Sequence, residues 1–263
     1  MSSDLPNEFT QNEYFSIDEQ LALEELERQV PFSRPTAFAG KLIVFEGADK
    51  LGKSTLVKLF SHALKTVTNV SSRVFTFPNK QDHMNLVKIT RLPNATIQQK
   101  ILSHALSHAL TYPMILEHIA QQGVALCDRY WFSNLVYPTT LNNIPEELIW
   151  SVEYKLIQPP TPHLTVFFVD SNLYPKFSSE RENIDELDNL KIQDRKRILL
   201  KYEELYHKFS SSSEQPLISQ HAVVFPVCEN EKLSASLVRL SYLVYNNLLS
   251  DKLNHQRDIM SQS

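Results

Sequence analysis

Gly47-Ala48-Asp49-Lys50-Leu51-Gly52-Lys53-Ser54 is the stretch that decides how this chain folds. It satisfies the pattern G-x-x-x-x-G-K-[ST], and its surroundings agree with it. Lys41-Leu42-Ile43-Val44-Phe45 before it is a β-rich apolar run, and from Thr55 onward the sequence reads as helix. In such a strand-loop-helix unit the glycines let the backbone curl, so that successive N–H groups and the helix amino end aim at one anion. Gly47 through Thr55 are therefore the candidate phosphate-binding loop. Lys53 supplies an ammonium for the outer phosphates, expected to face solvent until a ligand arrives, and Ser54 a hydroxyl for a magnesium ion.

Outward from the loop, strands and helices alternate. Strands are expected at 41–46, 73–77, 123–127, 164–169 and 222–227. Several are continuous apolar runs, as a parallel sheet covered on both faces requires. Leu56, Leu59, Phe60, Ala63 and Leu64 form one helical stripe. A long helix is expected over 95–121, with Ile101, Leu102, Ala105, Leu106, Ala109 and Leu110 facing inward and Pro113 kinking it. Others are expected over 145–157, 187–209 and 233–249. The sum is an α/β chain, a three-layer α/β/α domain around a five-stranded parallel sheet. Ligands gather at the carboxyl ends of such strands.

Three segments differ in character: an acidic extension, 1–38, expected to be flexible apart from a short helix over 17–29; the domain, 39–250; and a polar tail, 251–263. The extension holds eight acidic and two basic residues, which leaves a slightly basic body within a net charge of −4. That balance excludes a general nucleic-acid binder and suits a polyphosphate ligand. Cys127 and Cys228 sit in apolar runs and read as reduced, buried thiols. No apolar run is long enough to span a membrane, and the amino end is not an Arg-rich transit peptide. A cytoplasmic or nuclear setting is the expectation.

Two further stretches carry chemistry. Val124-Ala125-Leu126-Cys127-Asp128-Arg129-Tyr130 is a buried strand ending in a carboxylate, a guanidinium and a phenol. Asp128 is placed to hold a magnesium shell, and Arg129 to clamp a phosphate. Phe75-Thr76-Phe77-Pro78-Asn79-Lys80 sets an aromatic, a rigid proline and a cation at the end of another strand, able to pack a base and reach its phosphate.

Together, Phe45-Glu46-Gly47-x-Asp49-x-x-Gly52-Lys53-Ser54-Thr55, Phe77-Pro78 and Asp128-Arg129-Tyr130 with Phe132-Ser133 resemble the thymidylate kinase family in order and spacing, over about residues 40–250. The resemblance implies a P-loop kinase fold and phosphoryl transfer from ATP and Mg2+ to a deoxynucleoside monophosphate, chiefly dTMP. It implies that Asp49 bonds the 3′-hydroxyl of the acceptor and Arg129 its phosphate. Lys80 stands where the family has an Arg, and Lys50 where one subclass places a loop Arg that stabilises the transferring group. Tyr137 matches the aromatic that crowds the sugar 2′ position. Homologous enzymes are typically homodimers.

The chain also departs from the family. The base-stacking Phe and base-reading Arg fall on His104 and His108, an i, i+4 pair open to three readings: pocket lining, a polar helix face, or two zinc ligands lacking a third. The lid tyrosine reads Leu187, with Lys176 and Arg181 as candidate lid cations. Other functions the sequence allows are a deoxynucleoside kinase, a kinase for another or modified pyrimidine deoxynucleotide, and an inactive nucleotide-binding module. The first of these normally shows an acidic-Arg-Ser element after an earlier strand, and none precedes Asp128.

Overall fold

The computed structural model describes residues 15–30, 32, 35–78, 84–90, 92–170, 192–211, 219–228 and 230–261. Lys80, Lys176, Arg181 and Leu187, named above as acceptor and lid candidates, lie outside them.

One parallel sheet organises the chain. Its strands are β1 (Leu42–Gly47), β2 (Ser72–Thr76), β3 (Val124–Asp128), β4 (Leu164–Asp170) and β5 (Ala222–Val227), in the order β2-β3-β1-β4-β5. Every residue of β1 and β3 is buried. Continuous Val, Leu, Ile and Phe without polar alternation is the signature of strands covered on both faces, and all five expected strands form within one residue of each end. α2 (Lys53–Thr68) and α8 (Leu233–Ser261) cover one face; α4 (Ile97–Ala120), α5 (Trp131–Asn142) and α7 (Ile192–Ser211) cover the other. α3 (Met84–Thr90) packs on α4, and α6 (Glu146–Trp150) runs directly into a π-helix, Ser151–Ile157.

The chain passes from β1 to the edge strand β2, returns to β3, then crosses β1 to β4, so strand order reverses at β1. The register places Phe45 and Thr76 on either side of Asp128. The segments following β1, β2 and β3 therefore emerge side by side, at the place where α/β sheets bind ligands.

Four expectations need correction. The extension is not a free appendage over its described part. α1 (Ile17–Gln29) forms where expected, started by a capping box in which Ser16 Oγ accepts from the Glu19 N–H at 3.3 Å and the Glu19 carboxylate accepts from the Ser16 N–H at 2.8 Å. Its Ala22, Leu23 and Leu26, with Val30, Phe32 and Phe38 after it, are buried against α2 and α8. Burial of so much apolar surface outweighs a weak amphipathic pattern. At the other end, α8 continues as helix to Ser261 rather than ending near Leu249.

The rotation of α4 also differs. Ile101 and Ala105 face inward, but with Ser103, Ser107, His108, Thr111 and Tyr112, while Leu102, Leu106, Leu110 and Leu116 are each about half exposed. The sheet side of this helix borders the candidate site, so polar groups occupy it and the leucines turn out. Lastly, Cys127 is buried but Cys228 is exposed, just past the end of the edge strand β5. Among the described residues no helix is long and apolar enough to cross a membrane.

Candidate active site

Glycine is required where the loop leaves β1. Gly47 has φ +145°, and a Cβ there would lie 2.7 Å from the Phe168 carbonyl oxygen. Lys50 and Gly52 take left-handed φ of 66° and 73°, and α2 begins at Lys53 with no acidic residue in its first turn. The open amino end of α2 thus keeps its partial positive charge for an anion.

Lys53 does not face solvent. It is buried, and its Nζ donates to Asp128 Oδ1 at 2.8 Å. Ser54, the next residue along α2, also favours the ionised form of Asp128. Burial alone would raise the Asp128 carboxyl, but the charge and hydrogen bond of Lys53, then Ser54 and Arg129, hold it below the usual range. Burial lowers Lys53, and the Arg129 charge adds to that. A hydroxyl and an ionised carboxylate side by side are the hard oxygen donors that suit magnesium.

The next residue, Arg129, has φ 71°, unusual for a side-chain-bearing residue. Its N–H donates to the Phe45 carbonyl at 2.9 Å, and the following N–H, of Tyr130, donates to the buried Glu46 carboxylate at 2.6 Å. The guanidinium ion-pairs with Asp49 and donates to Ser133 Oγ at 3.0 Å, Tyr137 Oη at 3.1 Å and the Gly47 carbonyl at 3.2 Å. Tyr137 donates to Asp49 at 2.6 Å. Burial opposes the charged Asp49, but Arg129, the Tyr137 hydrogen bond and Lys53 outweigh it and keep the carboxyl low. Burial raises Glu46, which also accepts from Ser133 at 2.9 Å. Asp49, Arg129 and Tyr137, expected around the acceptor, form one connected group, and Lys50 lies in the adjoining loop.

Beyond them is an aromatic floor. Phe77 meets the rings of His108 at 5.1 Å, Tyr130 at 5.6 Å and Tyr112 at 6.1 Å. His108 is buried, and its Nδ1 lies 2.9 Å and 3.0 Å from the two oxygens of Glu153, a carboxylate with no exposed surface. Asn134 Nδ2 donates to the same carboxylate and to the Ile101 carbonyl. His104, one turn earlier, is only partly buried, yet desolvation first, then the charges of His108, Arg129 and Lys100, push it down to about 3. It is neutral at physiological pH.

Sequence reasoning did not single out Asn134, Glu153 or Tyr202. Tyr202, fully buried on α7, shares a 2.9 Å hydrogen bond with Ser133 and so ties that helix to Arg129. Glu153 had a signal: it follows the buried Ile149 by four residues and so lies on the inward line of its helix.

A family model described as thymidylate kinase matches residues 45–220. The chain is 28% identical over 174 residues to a thymidylate kinase of Plasmodium falciparum, covering 64% of this chain and 79% of that one. It is 27% identical to that of Mycoplasmoides gallisepticum, covering 57% and 73%, and 28% identical to that of Malacoplasma penetrans, covering 56% and 69%. The match begins at Phe45 and runs through the loop, the Asp128-Arg129 strand end and α7. On this sheet order, this loop and these relatives, the chain belongs to the thymidylate kinase family of nucleotide kinases.

Proposed function

We propose that the protein transfers the γ-phosphoryl group of ATP, with Mg2+, to a pyrimidine deoxynucleoside monophosphate, first of all dTMP, to give the diphosphate. An acceptor phosphate oxygen attacks the γ-phosphorus, the bond to the bridging oxygen breaks, and ADP leaves. The observation that carries this reading is that two consecutive residues pair with the loop, Asp128 with its cation Lys53 and Arg129 with Asp49, which supports a donor half and an acceptor half lying side by side. A transferred group held between them needs only to move between neighbours.

In this reading the loop amides and Lys53 bind the ATP phosphates. Ser54 and Asp128 hold the magnesium ion, which when bound neutralises phosphate charge. Arg129 binds the acceptor phosphate and Asp49 its 3′-hydroxyl, while Tyr137 closes the 2′ side. Lys50 reaches the transferring group, and Lys80 adds charge at the acceptor. The acceptor phosphate is ionised at neutral pH, so orientation and charge neutralisation carry the reaction. The half-exposed row Leu102, Leu106 and Leu110 supports a homodimer formed through α4. The setting is cytoplasmic.

The test is ADP release with ATP and magnesium against dTMP, dUMP, dCMP, dGMP and thymidine in turn. Turnover on dTMP but not thymidine is expected. Turnover on thymidine alone selects a deoxynucleoside kinase, and ATP binding without any turnover selects an inactive module.

A further inference from the structure

Arg129 holds a left-handed backbone, φ 71°, a conformation that strains a residue with a side chain and persists only where its surroundings over-determine it. The carboxylate of Glu46, which has no exposed surface, supplies part of that constraint. One of its oxygens accepts from the Tyr130 N–H at 2.6 Å, and the other from the Ser133 hydroxyl at 2.9 Å. Tyr130 is the N-cap of α5 and makes no capping bond with its own side chain, so an acid from β1 serves that helix end instead. Glu46 thus grips the residue just after Arg129 and, one turn on, a side chain that touches its guanidinium.

Counting protons then fixes the direction of the bonds around Ser133. Its hydroxyl has one hydrogen, and Glu46 takes it. In its 2.9 Å contact with Ser133, the fully buried Tyr202 is therefore the donor. The chain runs from Tyr202 to Ser133 to Glu46, which leaves lone pairs of Ser133 and Tyr202 for Arg129 Nη1 at 3.0 Å and 3.4 Å, beside the Gly47 carbonyl at 3.2 Å. The other terminal nitrogen is placed differently. Nη2 ion-pairs with Asp49, whose side chain is 40% exposed, and donates to Tyr137 Oη at 3.1 Å. One edge of the guanidinium is tied to neutral oxygens of the frame, and the other to an open carboxylate that a second anion can replace.

We propose that Glu46 and Tyr202 are positioning residues for the acceptor phosphate: acting through the Ser133 hydroxyl, they lock Arg129 Nη1 to the frame and leave Nη2 as the edge handed to the phosphate. Neither touches a substrate atom. Replacing Glu46 by its amide changes no shape but reverses the chain, because an amide N–H facing Ser133 sends the hydroxyl proton back toward Tyr202. Replacing Tyr202 by phenylalanine removes the first donor and keeps the ring. The inference rests on the kinase reading for what Arg129 binds, but its measurement is separable from turnover.

The test measures the affinities of dTMP and thymidine by calorimetry, thymidine by displacement, since their ratio isolates the phosphate contact. In Tyr202→Phe, and in Glu46→Gln, that ratio should fall about tenfold, the scale of a disturbed hydrogen bond to a charged group, with thymidine affinity held within about twofold. In ADP release, kcat/KM for dTMP should fall at least about tenfold while KM for ATP stays within about twofold. Because both residues act through Ser133, the two changes together should lose about as much as the larger single loss, and additive losses overturn the proposal. Tyr202→Phe decides alone if Glu46→Gln does not fold. A purely structural brace would instead lower thermal stability and weaken dTMP and thymidine equally, and that unchanged ratio overturns the proposal. A ratio that falls in Tyr202→Phe, without ADP release by the unaltered protein, retains this inference and refutes the kinase; turnover on dTMP with an unmoved ratio does the reverse.

Discussion

Lys53 Nζ and Asp128 Oδ1 are 2.8 Å apart, both on buried side chains, so the cation of the phosphate loop is clamped to the neighbouring strand before a nucleotide is present. The lysine is a structural ion-pair partner as well as the phosphate ligand proposed above. Lys53→Met should therefore abolish phosphoryl transfer and also cost about 3 kcal/mol of stability, because a buried carboxylate is left unpaired. Chemical denaturation checks the second part. Adding Asp128→Asn should return most of that stability without restoring activity.

Tyr137 does two things at once, bonding Asp49 through its hydroxyl and lying 5.3 Å from the Arg129 guanidinium through its ring. Tyr137→Phe keeps the ring and should raise acceptor KM about tenfold, the scale of a lost hydrogen bond to a charged group. Tyr137→Ala removes the bulk too and should increase use of ribonucleotide acceptors. An unchanged deoxy-to-ribo ratio in the alanine variant would refute the steric role.

The half-exposed leucines on α4 give a separable prediction. Leu106→Glu should leave monomer stability within about 0.5 kcal/mol, as surface changes usually do. In sedimentation experiments it should shift the protein from dimer to monomer. A parent chain that sediments as a monomer over the working concentration range ends the dimer proposal.

Acid should destabilise the fold in a definite window. The Leu42 N–H donates to His163 Nδ1 at 3.0 Å, a bond that requires that nitrogen to be unprotonated. Burial, then the charge of Lys41, pushes His163 down to about 4. An unfolded histidine titrates near ~6.5, so below that pH the unfolded chain binds the extra proton first. The stabilisation is complete above that value and is lost as pH falls toward 4, with His104, at about 3, acting in the same sense. Denaturation midpoints measured from pH 7.5 to 4.5 should decline, and His163→Gln should flatten the decline.

What the sequence disclosed depended on range. The five strands were legible because each is a local apolar run, and the loop because its glycines and lysine are contiguous. Asp49, Arg129 and Tyr137 were placed by motif order, and the structure brings them into contact. Lys80 and the lid lie outside the described residues. Partnerships across the sheet were not legible: Glu153 is 45 residues from His108 and Tyr202 is 69 from Ser133, so no local spacing encodes either pair. The rotation of α4 misled for a physical reason. Hydrophobic periodicity identifies the core face only where that face meets a dry core, and here it borders a polar site.

The packing of α1 has a practical corollary. Phe38 stacks on Tyr245 of α8 at 5.8 Å and meets Phe60 of α2 at 6.1 Å, yet Phe38 and Tyr245 both fall beyond the 45–220 span shared with other kinases. A clone trimmed to that span would strip both termini from the flank of α2, and its product would aggregate even with an intact catalytic loop. For this chain, the limits of homology are narrower than the limits of what can be expressed as a stable piece.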